Sequence, residues 1–234
     1  MTRALTAFLD DCRLLPDGFV GNDCDIWRLG AVLVLRDGDA IAAVQKATVK
    51  GYEFSGAWSL PGGMARTRDV PKEIDDASAA AVLAYSLSAR AEAEAGIGPD
   101  KRSALLPAAQ FGPIVTRYTV RDVLAYTLMV VHEAKPVQGF DLSAADRSIV
   151  RAAWLKPPIE WERLAPANRA LLAHALWPQL SEAWREASIA PIAEAIDACS
   201  AWGEEVGWPV VPPPWAPAEA IAAWRGAWRR PANH

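Results

Sequence analysis

Between Trp58 and Ile97 the chain runs a short apolar stretch into Gly62-Gly63 and crosses a polar loop. It then enters an alanine-rich segment ending Ala89-Arg90-Ala91-Glu92-Ala93-Glu94-Ala95-Gly96-Ile97. Paired glycines after an apolar run mark a turn, or a backbone approach that a side chain would obstruct. A glycine just past an alanine- and leucine-rich segment is a helix stop. The order strand, glycine turn, loop, helix, stop follows, with Phe54 to Leu60 as the strand. Leu83, Leu87 and Ala91 recur every four residues and give the helix one apolar stripe.

The flanking sequence supplies a sheet. Leu29–Leu35 and Ala40–Ala47 are apolar runs on either side of Arg36-Asp37-Gly38-Asp39, and Asp-Gly between two such runs signals a hairpin. Phe111–Thr119 and Val123–Glu133, rich in β-branched and aromatic residues, predict a second hairpin around Val120-Arg121-Asp122. A short strand is expected within Asp146–Leu155 and a helix over Asn168–Trp177. In the loop after the glycines, Pro71 and the acids Glu73, Asp75 and Asp76 suit the positive end of a helix, so that helix is expected to begin well before residue 79.

Taken together, the Pro61-Gly62-Gly63 turn, the helix closing on Gly96-Ile97 and the strand order resemble the Nudix family over residues 26–178. The Nudix box is a loop–helix–loop that holds metal ions against a pyrophosphate. The resemblance implies an α/β/α sandwich with a mixed β-sheet, and Mg2+- or Mn2+-dependent hydrolysis of a nucleoside diphosphate linked to another moiety. Placed on the box, Asp69 takes the position of the first acid, and Ala89 and Arg90 take the place of an Arg-Glu pair. The two later glutamates fall on Ala93 and Glu94. Nineteen residues separate Asp69 from Ala89, about twelve more than the family pattern. The implied roles are Glu94 as catalytic residue and metal ligand, Asp69 as a second ligand, and Arg90, Gly62 and Gly63 as ligand contacts.

The chemistry of the box depends on carboxylates sharing one helix face. Positions i, i+3 and i+4 do so, and a cluster of hard oxygens there suits Mg2+. In this chain that face reads Arg90, Ala93, Glu94, while Glu92 points elsewhere. Arg90 stands one turn before Glu94, so an intrahelical ion pair is the plain reading of the two, and any divalent ion should bind weakly. Two functional classes follow. One is the hydrolase, drawing its remaining carboxylates from outside the box. The other is a catalytically impaired binding module for a nucleotide-like or other small ligand, in which Arg90 meets a phosphate directly.

Composition limits the alternatives. Apolar residues make up 52% and charged ones 22%, enough for a sizeable core. A net charge of −4 without a basic block argues against nucleic acid. Cys12, Cys24 and Cys199 are widely spaced, which fits a reducing compartment rather than a disulfide framework. No apolar run reaches a membrane span, and Asp10-Asp11 interrupts any signal sequence, so a cytoplasmic location is expected. His132, His174 and His234 are isolated, with no partner pattern for catalysis.

Residues 1–25 are read as an N-terminal extension and 179–234 as a helical, Trp- and Pro-rich C-terminal extension packed on the domain. Trp184, Trp202, Trp208, Trp215, Trp224 and Trp228 lie in the latter. Helices are expected over Ala187–Ala201 and Ala218–Arg229, with an extended Pro209–Pro214 between them. Such aromatics either fasten the extension to the domain or line a ligand pocket or homodimer interface.

Overall fold

The computed structural model describes residues 9–10, 12–21, 27–74, 77–108, 114–120, 123–176 and 180–206. Its centre is β3, Arg28–Asp37, buried at both parities: Leu29, Ala31, Leu33 and Leu35 on one face, Val32 and Val34 on the other. Burial at both parities means that both faces of the sheet are covered. The hairpin expected at Asp-Gly is present. β3 turns at Gly38, whose φ is +59°, into β4, Ala40–Lys46, with Arg36 opposite Ile41 and Asp37 opposite Ala40.

The short pair β1, Arg13–Leu14, and β2, Val20–Gly21, leads into β3. β5 is Trp58–Ser59 and pairs with β4; β6 is Gly62–Met64 and runs antiparallel to β3. Strand structure is thus confined to the end of the run expected from Phe54, because residues 51–56 are spent on turns. After the box helix come β7, Leu106–Pro107, β8, Ile114–Val120, and β9, Val123–Ala134. The second hairpin pairs β8 with β9, and β9 also runs parallel to β3 from Arg28–Thr127 to Leu35–Ala134. A parallel neighbour demands a long crossover, which here contains the helix. β10, Ile149–Leu155, closes the sheet on β4. The sheet is therefore mixed, as expected.

Helix α1 spans Ala79–Ala95. Its start corrects the expectation of an earlier one. Ser78 is the cap, its hydroxyl accepting from Ala81 N, while Ile74 N donates to Pro71 O to close a turn. The proline and acids that imitate a helix start belong to this turn-rich connection; Asp75 and Asp76 lie outside the described residues. The apolar stripe is as expected: Leu83, Leu87 and Ala91 are buried against the sheet. At the far end Gly96 has φ +68°, with its N–H and that of Ile97 reaching back to Glu92 O and Ala91 O. This is a left-handed helix cap, and a Cβ there would lie 2.5 Å from Ser143 Oγ.

Helix α2, Pro166–Leu176, packs on β4, β5 and β8, and α3, Glu182–Glu205, packs on α2 and β8. The result is the layered α/β/α arrangement around a mixed sheet that the resemblance implies. Polar contacts fasten α3. Trp161 Nε1 donates to Ser188 Oγ at 2.7 Å, Arg169 reaches Glu194 at 3.2 Å, and Arg117 pairs with Glu205 at 2.8 Å while lying over the Trp202 ring. The expected Pro209–Pro214 segment, the helix at Ala218–Arg229 and the four tryptophans from Trp208 onward lie outside the described residues. Cys12 and Cys199 are buried thiols. No helix among the described residues is long and apolar enough to cross a membrane.

Candidate functional site

Gly62 and Glu94 define the site. Gly62 has φ +145°, and a Cβ on it would stand 2.2 Å from Ala31 O, so only glycine lets β6 lie this close to β3. Its N–H donates to Glu94 Oε2 at 3.0 Å. Glu94 extends the apolar stripe of α1 by three residues after Ala91, which turns it inward; only 1% of the residue is exposed.

A carboxylate so deeply buried requires compensation. It has two hydrogen-bond donors and one further cation nearby. Besides Gly62 N–H, Lys46 Nζ at the end of β4 lies 3.0 Å from Glu94 Oε1, and Arg90 Nη1 stands 3.7 Å from the same oxygen, an ion-pair contact. The i,i+4 pair read from the sequence is therefore present, but Lys46 is the nearer cation. Arg90 passes over Gly63, where a Cβ would be 3.8 Å from its Nε, and also meets Asp146 Oδ2 at 3.4 Å.

Asp146 is delivered by a loop that caps α1. Ser143 N donates to Ala95 O, and Ala145 N and Asp146 N to Ala93 O, satisfying carbonyls that a helix end leaves open. Donation from Ser148 N at 2.7 Å holds the Asp146 carboxyl below its usual range, and Arg90 and Lys46 add to the effect.

Gly62, Gly63, Lys46, Arg90 and Glu94 open onto a cavity of about 420 Å3. Lys46, Arg66, Arg90 and Glu94 line its charged end; Tyr52, Phe54, Val32, Met129 and Leu171 are among its apolar walls. Arg66 follows β6, and its guanidinium stacks over Phe19 at 5.5 Å. Burial first, then Arg90 and Arg68, holds its pKa below the usual value, against the weaker pull of Asp69 and Asp146. Among the described residues no carboxylate lies within 4.0 Å of Arg66, and its Nε is buried without a hydrogen-bond partner.

Of the residues expected at the site, Gly62, Gly63, Arg90 and Glu94 come together. Asp69 sits on the 3-10 turn Thr67–Asp69, with Oδ1 4.0 Å from Arg68, and does not line the cavity. Lys46, Arg66 and Asp146 were not anticipated from the sequence. The Arg66/Arg68 pair just after the glycines was a usable signal, whereas Lys46 stands forty-eight residues before Glu94 and carried none.

A divalent ion does not suit this donor set. Mg2+ needs several hard oxygens within reach of one centre. Here the two Glu94 oxygens already accept from Lys46 and Gly62, and the adjacent acid, Asp146, is engaged by Arg90. Among the described residues no group of three His, Cys, Asp or Glu side chains is arranged to hold a metal. His132, a remaining candidate base, is buried in β9 and away from the cavity wall.

The chain is similar to solved Nudix structures. A NUDIX hydrolase from Nitrosomonas europaea shares 16% identity over 63% of this chain and 88% of that one, with a TM-score of 0.37. The MutT protein of Methanosarcina mazei Go1 shares 14% over 65% and 95%, at 0.39. An ADP-ribose pyrophosphatase from Streptococcus suis shares 16% over 66% and 92%, at 0.36. No family model matches the chain, and no curated protein matches it.

Proposed function

We propose that this chain is a Nudix-fold protein that binds a phosphate-bearing, nucleotide-like small molecule through cationic side chains rather than through a divalent ion. The observation that carries this reading is the pair of cations that surrounds Glu94. Lys46 and Arg90 stand beside the carboxylate that the box would offer to a metal, at 3.0 and 3.7 Å. Three cations line the charged end of the cavity against one carboxylate, with Asp146 behind Arg90. Such a surface attracts an anion and supplies charge-assisted hydrogen bonds to it. The ligand-binding roles assigned to Arg90, Gly62 and Gly63 belong to this reading, and Lys46 and Arg66 join them.

The second reading is the hydrolase, with Glu94 catalytic and Glu94 and Asp69 as Mg2+ or Mn2+ ligands. The box position of Glu94, beside the glycine turn, favours it. The pairing of Glu94 with Lys46 weighs against it. Residues 26–178 are read as the binding domain, flanked by extensions at 1–25 and 179–234; a cytoplasmic location and a possible homodimer complete the reading.

Thermal unfolding in the presence of a chelator tests the proposal. Phosphate-bearing nucleotides should raise the midpoint of the wild type, and Arg90→Gln should blunt the rise. Stabilisation or phosphate release that appears only with Mg2+ or Mn2+ would restore the hydrolase.

A further inference from the structure

Resting on that reading of the pocket, we infer that Arg66 is the side chain that receives the ligand's anionic group, and that Phe19 of the N-terminal hairpin and Ser86 of α1 hold it ready. Lys46 and Arg90 add their field, each from within an ion pair.

The three cations on the cavity wall differ in what already engages them. Lys46 Nζ is 3.0 Å from Glu94 Oε1, and Arg90 Nη1 is 3.4 Å from Asp146 Oδ2 and 3.7 Å from Glu94 Oε1. Removing either leaves a carboxylate short of a counter-ion. Among the described residues Arg66 has no carboxylate within 4.0 Å. Asp69 and Asp146 act on it from farther away, more weakly than the like charges of Arg90 and Arg68. A guanidinium offers five N–H donors and accepts nothing. Nε of Arg66 is enclosed without a partner, while its terminal amino groups, also unpartnered, keep access to solvent at the cavity wall.

The backbone that carries this side chain is fixed from two sides. Ser86 Oγ, on a residue only 1% exposed, accepts from Arg66 N at 2.8 Å and donates to Arg66 O at 3.2 Å. On the other side Arg66 forms an antiparallel bridge with Phe19, Val20 N donates to Ala65 O, and Thr67 N donates to Gly18 O. The guanidinium lies over the Phe19 ring at 5.5 Å, a contact that orients its plane and uses none of its N–H groups. A half-buried cation set beside other cations, with its donors unspent, destabilises the empty protein and is relieved when an anion arrives. The hairpin formed by β1 and β2 thereby acquires a part in binding.

Calorimetry and urea unfolding, both in chelator, test the assignment. The titrants are inorganic phosphate, pyrophosphate and ADP, and variants are compared on whichever the wild type binds most tightly. Arg66→Gln should weaken that binding about tenfold or more, through lost charge-assisted hydrogen bonds. Its urea midpoint without ligand should equal or exceed that of the wild type, whereas Arg90→Gln should lower the midpoint because Asp146 and Glu94 lose a partner. Arg66→Lys should recover part of the affinity. Phe19→Leu should weaken binding roughly two- to fivefold, and Phe19→Tyr, which keeps the ring, should not. Equal affinity in Arg66→Gln and the wild type would overturn the inference and leave phosphate binding standing. So would an Arg66→Gln protein destabilised as much as Arg90→Gln, because Arg66 would then be a structural residue. Binding of none of the three titrants would overturn the inference together with the reading beneath it.

Discussion

Lys46→Met removes the cation nearest Glu94 and leaves a carboxylate that is 1% exposed. At an effective dielectric of about 20, a unit charge pair at the observed 3.0 Å is worth roughly 5 kcal/mol gross, and the Arg90 pair at 3.7 Å roughly 4 kcal/mol. Breaking a buried pair by deleting one partner costs about 3–5 kcal/mol. Arg90 and the Gly62 N–H remain to hold Glu94, and Lys46 is itself 19% exposed, so the expected loss falls to about 2–3 kcal/mol. Glu94→Gln should cost less, about 1–2 kcal/mol, because the stranded Lys46 can recruit water where Glu94 cannot. In the double variant the second change should be cheaper than it is alone, by about 1 kcal/mol or more. Urea unfolding in chelator reads all four corners of the cycle. A Lys46→Met protein within about 0.5 kcal/mol of the wild type, or a cycle without coupling, would refute the assignment of Lys46 as the counter-ion.

Other consequences follow from the same geometry. Gly62→Ala forces a Cβ to within 2.2 Å of Ala31 O at φ +145°, so it should cost about 3 kcal/mol or more, read as lost expression or a lowered urea midpoint. Burial lowers the His132 imidazole from 6.5 to about 4, and its Nδ1 has no partner. The unfolded chain takes up that proton below about 6.5 and the folded chain only below about 4, so stability should fall across this window as pH drops, by up to roughly 3 kcal/mol. His132→Leu should remove that share of the pH dependence; an unchanged slope would exclude His132 as its source. Arg90→Glu with Ala93→Glu rebuilds the acidic face, yet Lys46 still occupies Glu94, so Mn2+ titration should show tight binding only when Lys46→Met is added.

The fold was legible wherever local pattern and tertiary demand agreed. The Asp37-Gly38-Asp39 turn, the Leu83, Leu87, Ala91 stripe and the Gly96 stop each satisfy a rule that operates within a few residues. The start of α1 was misread because Pro71 and its neighbouring acids satisfy the same local rules as Ser78. Only the cap hydrogen bond from Ala81 N distinguishes the true boundary. Within the site, Arg90 and Glu94 are a turn apart and their pairing was readable. Lys46 and Asp146 arrive from β4 and from the loop before β10, so their meeting with α1 is a product of the sheet and its crossover. The box pattern pointed to Glu94, but what holds that carboxylate is decided by strands distant in sequence.

The most direct test of the central claim is a pair of calorimetric titrations of the wild type with the tightest-binding phosphate compound, one in chelator and one in excess Mg2+, with the recovered ligand assayed for hydrolysis. The account predicts the same dissociation constant in both, within about a factor of two, and intact ligand. Binding that requires Mg2+, or ligand cleaved only in its presence, would contradict it.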